Sequence, residues 1–153
     1  MYKRQALISL VLLLVLAVSA GAASSQNVGV KFWKERSDKE SMANSGIDPD
    51  RTATLTRQAN GTYTLTLPVM QVSKLGVTGY LSGLTIGDVT YDGTLTGDFN
   101  KATAVLTIKN LPASVLTGSD VNKSVLVTCN IQMDLQVLGE INTSARMCIW
   151  NQK

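Results

Sequence analysis

The chain has 153 residues, with 14 lysines and arginines, 11 acidic residues and no histidine, a formal charge of +3. Without histidine there is no Ser-His-Asp or Cys-His triad, no imidazole base and no His-ligated zinc. The basic residues stand singly and form no stripe that tracks a phosphate backbone, so nucleic acid is not an expected partner.

The first 23 residues read as a secretory signal peptide. Lys3 and Arg4 form a charged start, ALISLVLLLVLAV is an unbroken apolar run, and SAGAASS supplies small residues for cleavage after Ala20, Ala22 or Ala23. The apolar run is shorter than the roughly 20 residues a membrane-spanning helix needs. Export to the cell surface or the medium follows, with no membrane span after cleavage. Residues 24–153 then form one domain, close to neutral once Lys3 and Arg4 are removed.

Strands are expected at 28–33, 51–58, 62–67, 69–74, 77–86, 89–95, 102–109, 123–136 and 142–150. Thr, Val and Leu dominate these runs, and Gly, Asn, Asp and Pro separate them. Short strands at such spacing predict an all-β, antiparallel sandwich or barrel. One segment breaks the pattern: SDKESMANSGI, residues 37 to 47, reads as one short helical turn between the first two strands.

The hairpin RTATLTRQANGTYTLTL carries its own register. A two-residue Asn60-Gly61 loop sets Thr56 against Leu65 and mixes the two faces. A three-residue loop, Ala59-Asn60-Gly61, sets Leu55 against Leu65 and Ala53 against Leu67, with Gly61 left-handed. The apolar face selects the longer loop.

In the last hairpin, Val125, Val127, Cys129, Ile131, Met133 and Leu135 form an apolar face. A turn at Leu138-Gly139 places Cys129 opposite Cys148, and two cysteines in an exported chain are expected to pair. That register also puts Arg146 and Ser144 on the apolar face. A competing register buries Ala145, Met147 and Ile149 and turns Cys148 away; a β-bulge reconciles the two.

Three stretches in order, VKFWKERSDKESMANSGI, TATLTRQANGTYTLTL and LPVMQVSKLGVTGYLSGLTI, resemble the bacterial near-iron-transporter (NEAT) domain. The resemblance covers about the first half of the domain. It implies an immunoglobulin-like β-sandwich that binds haem or relays it between surface proteins, with haem-donor or acceptor proteins as partners. The short helix and the closing hairpin would be the two lips of the pocket. Ser41 would bond a propionate, Met42 would lie over the porphyrin, and Tyr80 and Met147 would line the site. The Y-x-x-x-Y motif that supplies the family's usual iron ligand is missing, because no Tyr follows Tyr91. That leaves thioethers as candidate iron ligands: Met42 on the lip, and Met133 or Met147 on the closing hairpin, of which Met42 and Met133 are preferred.

Taken without the resemblance, the same residues have plainer readings. Met42 plugs the end of the fold, Met133 joins the core face of its strand, Ser41 caps a turn, and Tyr80 closes a corner. The alternative function is a structural or adhesive domain with no bound ligand. No nucleophile elbow or phosphate-cradling loop occurs, so catalysis has no candidate residues.

Overall fold

The computed structural model describes residues 24–74, 77–133 and 140–152. The expected leader lies outside these. Nine strands follow one another: β1 Ser24–Lys34, β2 Ala53–Arg57, β3 Tyr63–Pro68, β4 Val72–Lys74, β5 Val77–Ile86, β6 Val89–Thr96, β7 Val105–Leu111, β8 Val125–Met133 and β9 Glu140–Asn151. Each sits on one of the runs expected from alternation.

All pairings are antiparallel, in the order β4-β5-β6-β7-β3-β2-β1-β9-β8, and β8 pairs back onto β5. The β5–β8 pairing closes eight strands into a ring and leaves β4 as an extra strand outside it. The expected sandwich of two facing sheets is therefore, in its hydrogen bonding, a closed barrel. Its interior is filled by fully buried side chains, among them Leu55, Leu65, Leu67, Leu106, Ile108 and Met147. Closure gives the inward face a continuous apolar lining while the outward, Thr-rich face meets water.

The first hairpin adopts the three-residue loop. Leu55 faces Leu65, Gln58 N–H donates to the Thr62 carbonyl at 2.8 Å, and Gly61 takes φ 85°. The last hairpin departs from the expected disulfide register. Cys129 faces Thr143, Val127 faces Ala145 and Val125 faces Met147. This is the competing register, in which Ala145, Met147 and Ile149 are buried. Cys129 shares its face with the odd-numbered residues of β9, so Cys148 points to the opposite face of the sheet. Its Sγ lies 3.5 Å from the Asp120 carbonyl oxygen. Both thiols are buried and free, and the expected Cys129–Cys148 bridge is not formed. The hydrophobic set on β9 outweighs the cystine because it buries three side chains and keeps Arg146 out of the core. The expected turn at Leu138-Gly139 lies outside the described residues.

Strand β5 carries the irregularity that shapes the rest. Leu81 faces Ile131 but Gly83 faces Asn130, a bulge at Ser82. The extra residue shifts the alternation, so Leu81 and Leu84 are both buried although they are three positions apart. On its other edge, β5 pairs with β4 through Val77–Gly79 and with β6 through Gly83–Ile86. The wall of the barrel thus divides between Gly79 and Gly83.

Candidate functional site

The segment between β1 and β2 forms a 3-10 turn, Met42–Gly46, rather than an α-helix. Its bonds run from Asn44 N–H to the Ser41 carbonyl and from Ile47 N–H to the Asn44 carbonyl, at 3.2 and 3.0 Å. Five residues are too few to build the longer-range ladder of an α-helix. Ser41 caps the turn, its hydroxyl oxygen accepting from Ala43 N–H at 3.2 Å. The Asn44 side chain then ties the turn to β1. Its Oδ1 accepts from Phe32 N–H at 2.8 Å, and its Nδ2 donates to the Phe32 carbonyl at 2.6 Å. This amide behaves like a short piece of neighbouring strand.

Fixed in this way, the turn presents Met42, Ala43 and Gly46 to a cavity of about 330 Å³. Val72 of β4 with Gly79 and Leu81 of β5 form the floor, where the barrel wall divides. Ile131 and Met133 of β8 with Ile141 and Thr143 of β9 form the far side. The lips reach water: Met42 is 54% exposed and Ile141 40%. Gly79 makes the room for Met133, because a Cβ at that position would stand 2.7 Å from the Met133 sulfur.

Among the described residues, no charged side chain lines the slot, and its side-chain heteroatoms are the sulfurs of Met42 and Met133 and the hydroxyl of Thr143. Such a surface offers apolar packing and soft, neutral donors. Cys129 lies one inward pair deeper in the hairpin, and burial pushes its thiol up to about 12. It is neither a nucleophile nor a thiolate ligand at neutral pH.

Of the expected site residues, the structure brings Met42 and Met133 to one cavity. Ser41 is buried beneath the turn and positions it without lining the slot. Tyr80 alternates with Gly79 and Leu81 and so leaves the slot for the other face. There its ring meets Phe99 with centroids 5.5 Å apart. Met147 is fully buried in the barrel core, opposite Phe32 of β1 and Val125 of β8. Sequence reasoning missed Gly79, Ile141 and Asn44. The signal for Gly79 was the broken alternation of GYLSGL, which only a bulge resolves. Among the described residues, no group of three or more acidic or Cys side chains is placed to hold a metal ion.

A second, smaller cavity of about 190 Å³ lies at the ends of β2 and β3 and involves Asp48, Arg51 and Trp150. Arg51 Nε donates to Asp48 Oδ2 at 2.7 Å, and its Nη2 reaches the Ala104 and Val69 carbonyls at 2.8 and 3.3 Å. This cluster is satisfied internally. The Arg51 hydrogen bond, with the Asp50 N–H, holds the Asp48 carboxyl below its ordinary range.

The closed antiparallel barrel is similar in fold to solved structures over 86% of the chain. The NEAT5 domain of IsdX2, a B. anthracis hemophore in complex with haem, superposes with a TM-score of 0.53 at 12% identity, covering 86% of this chain and 99% of that one. A point mutant of the same domain, also in complex with haem, gives 0.53 and 12% over 86% and 98%. The chain therefore has a NEAT-like fold. No family model matches its sequence, and no curated protein matches it.

Proposed function

We propose that this protein is a non-catalytic haem-binding module in which the slot between the Met42–Gly46 turn and the β8–β9 hairpin holds the porphyrin. The observation that carries this reading is the meeting of Met42 and Met133 across one apolar cavity. Two residues 91 positions apart in sequence (133 minus 42) thereby face a common ligand space. The likeness to haem-bound NEAT domains supports it. The immunoglobulin-like character expected of the sandwich rests on the same likeness.

The residues fit the group. At about 330 Å³ the slot is at the small end of ligand cavities. Because the slot opens to water at Met42 and Ile141, a planar ligand larger than it would enter in part and keep its polar edge outside. When bound, haem would supply an iron centre able to accept thioether ligands. Met133, seated over Gly79, and Met42 on the lip would hold that centre, and Leu81, Val72 and Ile131 would pack the ring. Ser41 and Asn44 position Met42 and do not line the slot. Export rests on the leader-like residues 1–23, and haem-donor or acceptor proteins would be the partners outside the cell. Among the described residues no helix is long and apolar enough to cross a membrane.

A hemin titration of the protein followed across the visible spectrum tests this. The expected result is a saturable Soret band at one haem per chain, with Met42→Ala and Met133→Ala each weakening affinity about tenfold, or roughly 1.4 kcal/mol. A flat response at tens of micromolar would leave the fold with a structural or adhesive role.

A further inference from the structure

We infer that the slot discriminates between oxidation states, taking ferrous haem in preference to ferric; this rests on the haem-binding reading above. Two properties of the lining lead here independently.

The first is charge. Ferric porphyrin carries one net positive charge at its centre, and ferrous porphyrin carries none. Among the described residues, no carboxylate, phenolate, thiolate or other charged side chain lines the cavity. A centre that keeps a charge against these described residues loses hydration without gaining a counter-ion from them, whereas a neutral centre loses little.

The second is donor type. The thioether sulfurs of Met42 and Met133 are soft, neutral ligands that match the softer, electron-richer ferrous ion. Among the described residues, Tyr80, next in sequence to Gly79, turns to the outer face against Phe99, and Cys129 lies below the lining with its thiol pushed up by burial. Gly79 adds a steric element. A Cβ at Gly79 would stand 2.7 Å from the Met133 sulfur, so the bare glycine is what lets the thioether pack close against β5.

Affinity and reduction potential are linked, because binding one oxidation state more tightly shifts the couple toward it. A tenfold preference for ferrous haem raises the potential of bound haem by about 59 mV relative to free haem.

The test compares four porphyrins on the full chain: ferric haem, ferrous haem kept reduced by dithionite, zinc(II) protoporphyrin and gallium(III) protoporphyrin. The zinc and gallium compounds vary central charge without iron. The expected result is at least about tenfold tighter binding of ferrous than ferric haem, a smaller preference for zinc over gallium, and a potential raised by about 59 mV or more. Met133→Leu should reduce the ferrous-to-ferric ratio toward the zinc-to-gallium ratio, and Met42→Leu, on the exposed lip, supplies a second variant should the first fold poorly. Equal affinities for the two iron states, or tighter ferric binding, would overturn the inference while leaving a haem site. A ferrous preference indifferent to both methionine variants would overturn the role given to sulfur. If none of the four binds, the haem-binding reading itself falls.

Discussion

Gly79 and Gly46 face the same slot, yet they tolerate an added methyl group very differently. A Cβ at Gly79 would fall 2.7 Å from the Met133 sulfur and 2.9 Å from the Gln132 carbonyl oxygen, which is backbone and cannot swing aside. At Gly46 the nearest atoms, in Val72 and Leu81, are 3.7 and 3.9 Å away, ordinary contact distances. Gly79→Ala is therefore expected to destabilise the protein by about 1–3 kcal/mol through overpacking and to weaken haem binding by displacing Met133. Gly46→Ala should leave both nearly unchanged. Urea unfolding together with a hemin titration of the two variants checks the contrast; equal behaviour would mean that Met133 is not seated on Gly79. The exposed place of Met42 on a short turn was readable from the interruption of the strand pattern. Tyr80 was not readable, because its direction depends on which β5 residues face inward, and the bulge at Ser82 resets that count.

At the scale of elements, strand positions were legible because alternation and turn residues are local signals. The first hairpin was legible in register too, since only one loop length aligns Leu55 with Leu65. The last hairpin offered two registers whose arguments conflicted, an apolar one and a cystine one. Its outcome depended on β1, invisible from the hairpin alone: Phe32 faces Met147 and Val30 faces Ile149, so β9 must turn its odd residues inward. Cys148, an even residue, then lies against the 112–124 connection. The 3-10 turn was legible as a break, but the Asn44 tie that holds it was not, because it needs the backbone of Phe32, distant in sequence. A thiol titration in denaturant without reductant is expected to give two thiols per chain, and in native conditions both should react slowly because both are buried. A titre near zero would restore the cystine and with it the other register.

On the scale of the whole molecule, the Asp48–Arg51 pair joins three segments at one end of the barrel. Arg51 binds carbonyls at the end of β3 and just ahead of β7, and Asp48 N–H donates to the Pro68 carbonyl at 3.0 Å. The Asp48 carboxyl is held below its ordinary value of 3.8 in the folded protein. Its contribution to stability is therefore complete above that pH and is lost as pH falls from there through the folded-state value. Asp48→Asn is expected to cost about 1.5–3 kcal/mol near neutrality and to flatten the loss of stability below about pH 4. Denaturant unfolding from acid to neutral pH checks the sign; an unchanged acid slope would show that the carboxylate contributes nothing. The ring has a further consequence in time. Its seam joins β1 to β9, the first described strand to the last. Contacts of such sequence separation form slowly, and none of them exists until the last strand has been synthesised. A nascent chain short of residue 140 has a first hairpin but no barrel, with β1 and β8 both lacking the neighbour that lies between them. The ring therefore stays open, with β1 and β8 unbridged, until the residues of β9, Glu140–Asn151, have been made.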